Sequence, residues 1–492
     1  MKLSEELERS LREFVAAGPV EVREAARRLA PLSALNWEIR GAADRPLLHL
    51  WSEHHNLTRR VLSISENSGD RLVLSVQRFG RTKPDRLEFV RQEFELSAKD
   101  LSREEFRDRL AQLLAQQFPD ETLESLSVAP DLEHSFSGNY ARGTLRRGSA
   151  RWAVLGMPDS TAGSGAEQSL TFALLWLDRV RQSAQRGVVA GLRLILPHGT
   201  SRAVAHRLEA LDPRLAIELY EHNPEWETLQ RIDLPRAATL SSWLVPVRDA
   251  QALIAQAKPA LEAVLAASLE ATQMNPAPET REVFLRFRGL AIARWEEGHV
   301  YFGAGDPREE LSPGTQPRLK KLFRDLELYR NALATDTQHP LYRAQPERWL
   351  ESLVREEITR IDAALDSRFV YTQVFAASGG GSGVIDVLGV TRTGRLAVIE
   401  LKADEHIHLP LQAAEYWLRV HRHHAQGDFA RYGYFPGIEL LPTPPLVYLV
   451  APALRFHPST DTLLRFLSPE IEVVRVGLAE DWRRGLRVAM RQ

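Results

Sequence analysis

Apolar residues recur along this chain in three patterns, and each predicts a different element. Over residues 3–30 they fall three or four positions apart, which predicts two helices joined at Ala17-Gly18-Pro19. Arg60–Ser65 and Arg71–Gln77 read as strands on either side of Asn67-Ser68-Gly69-Asp70, strong hairpin chemistry. Residues 1–80 are compatible with a helix-turn-helix bearing a β-wing, or with a helical cap beside an unrelated hairpin. Helical spacing returns over 102–117, with Phe106, Leu110, Leu113 and Leu114 as its apolar positions. It returns again over the alanine-rich Ala250–Ala271 and over Pro317–Leu333. Asn275-Pro276-Ala277-Pro278 predicts a break. Glu297-Gly298 predicts a turn pairing His299–Phe302 with Val283–Arg288 or Leu290–Trp295, and 334–345 a linker. Short, mostly apolar runs dominate the last third: Val384–Val387, Ala397–Leu401 and Pro445–Val450 read as strands.

Part of this pattern occurs twice. Gly143-Thr144-Leu145-Arg146-Arg147-Gly148 matches Gly389-Val390-Thr391-Arg392-Thr393-Gly394. Arg151-Trp152-Ala153-Val154-Leu155 matches Arg395-Leu396-Ala397-Val398-Ile399, a register that runs on to Gln168 opposite Gln412 and Phe172 opposite Tyr416. Further strands follow in each repeat, Gly191–Leu196 and Leu215–Tyr220 in the first, Pro445–Val450 and Ile471–Val476 in the second. The expected fold class is therefore α/β and multidomain, with one α/β unit duplicated. Its expected divisions are a helical and β-hairpin domain over 1–98, the first repeat over 99–225, a helix and hairpin connector over 226–340, and the second repeat over 341–492.

Composition narrows the classes. The chain has 492 residues, 44% hydrophobic and 26% charged, ordinary for folded domains. A net charge of −2 means that any basic surface must be local. The lack of cysteine excludes disulfides, thiolate metal sites and cysteine nucleophiles. No apolar run reaches the roughly 20 residues of a membrane helix, and the acidic amphipathic start does not read as a signal peptide. A cytoplasmic protein is expected. Seven lysines stand against 56 arginines, a bias that either a thermophile or genome base composition would produce.

That scarcity makes Lys402 conspicuous. Val384-Ile385-Asp386-Val387 carries one carboxylate, and Ala397-Val398-Ile399-Glu400-Leu401-Lys402 carries a carboxylate and a lysine two residues apart, hence on one strand face. Charges in apolar strands are rare unless paired or bound to metal. Asp386 and Glu400, with a backbone carbonyl such as that of Leu401, would supply oxygen ligands for Mg²⁺ or Mn²⁺, one ion or two. Lys402 would stabilise a hydroxide and the charge growing on a phosphoryl group. Gln412 and Tyr416, one helical turn apart, share a face.

The order Asp strand, Glu-x-Lys strand, Gln-x-x-x-Tyr helix resembles the RecB-like branch of the PD-(D/E)XK nuclease superfamily, over about the last 150 residues. The resemblance implies a restriction-endonuclease-like core with Asp386, Glu400 and Lys402 as its catalytic set. It places Gln412 in or near the metal site and Tyr416 as a buttress or backbone contact. It also implies a glutamate on the preceding helix, expected over Pro346–Asp366; Glu351 is chosen, with Glu347 and Glu357 as the other candidates. The glycine-rich Ala376–Gly383 precedes a strand and lacks the Gly-Lys-Ser/Thr of a phosphate loop; a flexible rim loop or bulge is expected. His406, His408, His421, His423 and His424, with Arg419, Arg422 and Arg431, are expected on a solvated or phosphate-facing helix surface.

In the first repeat the same alignment sets Tyr140 against Asp386, Gly156 against Glu400 and Pro158 against Lys402. That repeat is expected to be non-catalytic: a nucleic-acid contact through Arg142, Arg146, Arg147 and Arg151, a dimer-like partner, or a scaffold. The function expected is a metal-dependent nuclease acting on DNA rather than RNA, in repair or defence. Its rivals are a nucleic-acid-binding scaffold with a fossil site and another class of Mg²⁺ enzyme. No helicase motif is present, so an ATP-driven partner would be a separate chain, and a homodimer is compatible with the sequence.

Overall fold

The computed structural model describes residues 3–16, 20–24, 27–32, 35–42, 45–51, 56–67, 71–77, 85–91, 103–131, 136, 138–159, 166–184, 187–223, 227–233, 244–265, 272–277, 280–378 and 381–492. They form a mixed α/β molecule with four sheets among the described residues. Two compact units result, each from two separated stretches: Met1–Glu95 with Val247–Leu353, and Leu96–Pro246 with Val354–Gln492. The four consecutive divisions expected from sequence are thus regrouped. The second sheet runs on to Ile232, and the helix Pro346–Glu356 crosses the boundary between units.

In the first unit the helix Leu3–Ala16 buries Leu7, Leu11 and Phe14 in one core with Leu48, Leu50, Val61, Leu72 and Leu74. The second expected helix is absent: Val20–Glu24 and Arg27–Pro31 are strands of a seven-stranded antiparallel sheet, which excludes the helix-turn-helix reading. The hairpin strands are present within Asn56–Asn67 and Arg71–Gln77. The later part of this unit is a five-stranded antiparallel sheet with the helices Val247–Leu265 and Gln316–Tyr329. Thr272–Ala277 is a strand there, not a break, and Glu282–Phe287, Leu290–Glu296 and His299–Phe302 all pair in sequence. The expected linker contains the short helix Pro340–Arg343. The turns at Ala17-Gly18-Pro19 and Ser68-Gly69-Asp70, the end of the Ala250–Ala271 helix, and Pro278 lie outside the described residues.

The second unit holds the two repeats. The first runs α1 (Arg103–Gln117), β1 (Thr122–Ser127), β2 (Ala141–Arg147), β3 (Ala150–Gly156), α2 (Ala166–Ser183), β4 (Val188–Pro197), α3 (Ser201–Leu208), β5 (Ile217–His222), β6 (Leu229–Ile232). The second runs β7 (Leu365–Ser378), β8 (Gly381–Thr391), β9 (Leu396–Leu401), α4 (Leu409–Ala425), β10 (Leu446–Pro452), α5 (Thr460–Leu464), β11 (Val473–Leu478), β12 (Val488–Arg491). Each sheet has six strands in sequence order, and the pairings are the same: antiparallel, antiparallel, parallel, parallel, antiparallel. Duplication of one topology is therefore a structural fact. The expected helix Pro346–Asp366 stops early, as Pro346–Glu356 and a turn at Ile358–Ile361, because β7 already begins at Leu365.

The repeats share one core. Leu170, Leu174 and Leu177 of α2 lie with Ala413, Ala414, Trp417 and Leu418 of α4 and with Leu211 and Leu467. Leu211 and Leu467 form an antiparallel bridge with reciprocal bonds, Asp212 N–H to Phe466 O at 2.9 Å and Ser468 N–H to Ala210 O at 2.8 Å. Glu209, two residues before Leu211, pairs with Arg422 of α4, and Arg465, two residues before Leu467, approaches Asp178 of α2 at 3.6 Å. Equivalent places in the two repeats carry opposite charges.

Candidate active site

β9 is the central strand of its sheet, buried at all six positions. A carboxylate there costs several kcal/mol unless it is paired. Glu400 is fully buried, and Lys402 Nζ donates to its Oε1 at 3.0 Å. Alternation sets both side chains on the face covered by α4. The β8–β9 ladder runs only from Val390↔Leu396 to Val387↔Ile399. Beyond it the Leu401 N–H donates to Asp386 Oδ2 at 3.1 Å instead of to a strand carbonyl. The carbonyl of a strand residue points to the same neighbour as its N–H, so the Leu401 oxygen turns toward Asp386 as well.

α4 adds the next two groups. Gln412 Nε2 donates to the Tyr416 hydroxyl at 3.1 Å. Burial lifts the Tyr416 phenol well above its ordinary value, the charges of Glu400 and Asp386 lift it further, and it stays protonated. Asp386, Glu400, Lys402, Gln412 and Tyr416 are thus gathered as the sequence reading expected. Glu351, the residue expected on the preceding helix, pairs with Arg348 at 2.6 Å.

Among the described residues no group of three or more His, Asp or Glu side chains is arranged around a metal position. Two carboxylates from adjacent strands and a peptide carbonyl still make an all-oxygen donor set of the kind that suits Mg²⁺ or Mn²⁺. The residues present fit such an ion.

Several expectations are corrected. His408 and His423 are buried, not on a solvated surface. His408 Nδ1 shares a 2.8 Å hydrogen bond with Thr171, His423 Nδ1 one of 2.7 Å with Asp428, and His424 Nε2 lies 2.7 Å from Leu441 O. His421 stacks on Trp417. Arg419 is buried on Glu415, and Arg422 pairs with Glu209. The glycine-rich segment is not a loose rim: β7 and β8 pair through Ala376↔Gly383 to Ser378↔Gly381, with only Gly379 and Gly380 outside the described residues. In the first repeat Arg146 and Arg151 pair with Glu124, each at 2.7 Å, and Arg147 approaches Asp120 at 3.6 Å.

The residue-by-residue match of the repeats also shifts. The Met157 N–H bonds Ile195 O at 2.9 Å, as the Lys402 N–H bonds Val450 O at 3.0 Å. With the same strand neighbours on each side, residues bonded alike present the same face. Leu155 and Met157 therefore correspond in face to Glu400 and Lys402, whereas Gly156 looks the other way, at Leu110 of α1. Aligning the strand ends Pro197 and Pro452 sets Leu155 at the place of Glu400 and Met157 at that of Lys402. Arg142 pairs with Leu155, and extending the β8–β9 register by one residue sets Asp386 beside Glu400. The counterparts are thus Arg142, Leu155 and Met157, not Tyr140, Gly156 and Pro158. Arg142 lies 4.7 Å over the Phe136 ring, and Tyr140 packs on Phe172 at 5.2 Å. None of these three residues is a carboxylate.

Sequence reasoning missed Glu415. Buried in α4, it meets Arg207 at 2.7 Å and His206 at 3.2 Å from the first repeat, and Arg419 from its own helix. A lone glutamate between Ala414 and Tyr416 in an apolar helix was the available signal. No family model and no curated protein matches the chain.

Proposed function

We propose that this chain is a metal-dependent phosphodiesterase of nucleic acid, DNA in the first instance. The reading rests on the convergence of Asp386, Glu400 and Lys402 where the β8–β9 ladder opens, beneath Gln412 and Tyr416. It agrees with the resemblance of this segment to the PD-(D/E)XK nucleases.

Asp386, Glu400 and the Leu401 carbonyl would hold the ion. When bound, it lowers the pKa of a water and neutralises phosphate charge. Lys402 supplies a fixed positive charge beside Glu400, where it stabilises hydroxide and the phosphoryl oxygens of the transition state. Gln412 occupies the Tyr416 oxygen as donor, which directs the phenol proton toward an anion. Glu400, fully buried, orients the Lys402 ammonium.

The test is incubation of the full chain with plasmid, linear duplex, single-stranded DNA and RNA in Mg²⁺ or Mn²⁺. Cleavage should fall by about 10²-fold or more in Lys402→Ala, the scale of losing one transition-state stabiliser, and vanish in Asp386→Ala. Saturating Mg²⁺ should stabilise the parent by about 2.7 kcal/mol at 100 times Kd and leave Asp386→Ala unmoved. Cleavage that persists in both variants would refute the site. Tight binding without hydrolysis would make the chain a scaffold.

A further inference from the structure

We infer that the chain is a nicking enzyme, cutting one strand of a duplex per encounter. This rests on the nuclease reading above and specifies its product. Each hydrolysis adds one water across one phosphodiester: a P–O bond to the water oxygen forms, one P–O ester bond breaks, and the water proton ends on the departing oxygen. One site therefore yields one break. The strands of a duplex are antiparallel and related by two-fold axes, so a concerted double break needs a second site related to the first by such an axis.

The molecule has a second repeat of the same topology without a second site. The two repeats have the same strand order and pairing and are joined at the Leu211–Leu467 bridge. Where the live repeat carries Asp386, Glu400 and Lys402, its mate carries Arg142, Leu155 and Met157. No carboxylate remains at those places to hold a cation.

The chain also covers α4, the surface through which its own two repeats pair. Ala413, Ala414, Trp417 and Leu418 of α4 lie in the shared core with α2. Glu415 is clasped by His206 and Arg207, and His408 by Thr171. A second copy of the chain cannot reach α4 without unseating the first repeat, so the inactive repeat takes the place of a catalytic partner.

The experiment follows supercoiled plasmid treated with the full-length chain in Mg²⁺ and in Mn²⁺, resolving supercoiled, open-circular and linear forms over time. Open circle should be the first product, with initial rate proportional to protein concentration. Linear DNA should appear only after a lag, as independent nicks meet, and Asp386→Ala should form neither. Linear DNA rising from the start without a lag would overturn the nicking inference and leave the nuclease reading standing. So would a rate second order in protein that yields linear product. Absence of hydrolysis of any DNA or RNA would remove the nuclease reading and this inference with it.

Discussion

Glu400 and Lys402 illustrate how a buried charge is tolerated and why it is informative. Each is nearly inaccessible, and each is costly without the other. Lys402→Met should therefore lower stability by about 3 kcal/mol, because it strands the Glu400 carboxylate. The double variant Glu400→Gln, Lys402→Met should recover most of that loss in urea unfolding and still lack cleavage. Recovery of cleavage would show that the pair serves packing alone. Glu415 makes a second test. Burial raises its carboxyl, but the His206 contact and the Arg207 and Arg419 charges outweigh burial and hold it well below the usual range. The folded chain thus binds this proton less readily than the unfolded one. Its stabilisation is complete above the ordinary glutamate value of about 4.3 and drains as pH falls from there toward the folded value. Glu415→Gln should be less stable than the parent by about 3 kcal/mol at pH 7. The gap should narrow below about pH 4, as read by denaturant midpoints across pH. A gap independent of pH would refute the assignment.

The elements carry the contrast between what sequence disclosed and what it hid. The five gathered site residues were legible because charge in an apolar strand and a polar pair at helical spacing stand out against their surroundings. The face of each strand residue was not. β9 and its counterpart are buried on both sides, so hydrophobicity does not alternate and a one-residue slip leaves the pattern unchanged. Sequence identities then chose a register that hydrogen bonding to the parallel neighbour contradicts. Val20–Glu24 was hidden for another reason: Glu and Arg favour helix locally, and only pairing with Asp85–Arg91 makes it a strand. Where backbone geometry is special, sequence spoke clearly. Gly394 ends the β8–β9 turn with φ +92°, and a Cβ there would lie 2.1 Å from Glu439 O. Gly394→Ala should cost about 2 kcal/mol in thermal or urea unfolding, with cleavage per folded molecule unchanged. The glycine of the first repeat's turn, Gly148 at φ +60°, faces open space, so Gly148→Ala should cost less.

For the whole molecule, the shared core determines which parts stand or fall together. The bridge at Leu211 and Leu467 joins residues far apart in sequence, and the interior around it draws on α2, α3, α4 and α5 alike. Two independently stable repeats would lose protection separately. A single core predicts that a cavity cut at the bridge is felt equally on both sides. Leu211 is almost fully buried, so Leu211→Ala should cost about 2–5 kcal/mol, the range for truncating such a side chain. Hydrogen exchange localises that cost. Amides of β4 in the first repeat and of β10 in the second should both exchange faster, by the same free energy, although Leu211 belongs to the first repeat alone. Faster exchange confined to β4 would show that the repeats open independently. The candidate site would then not depend on the other repeat for stability, and the proposed barrier to pairing through a second copy would lose its structural basis.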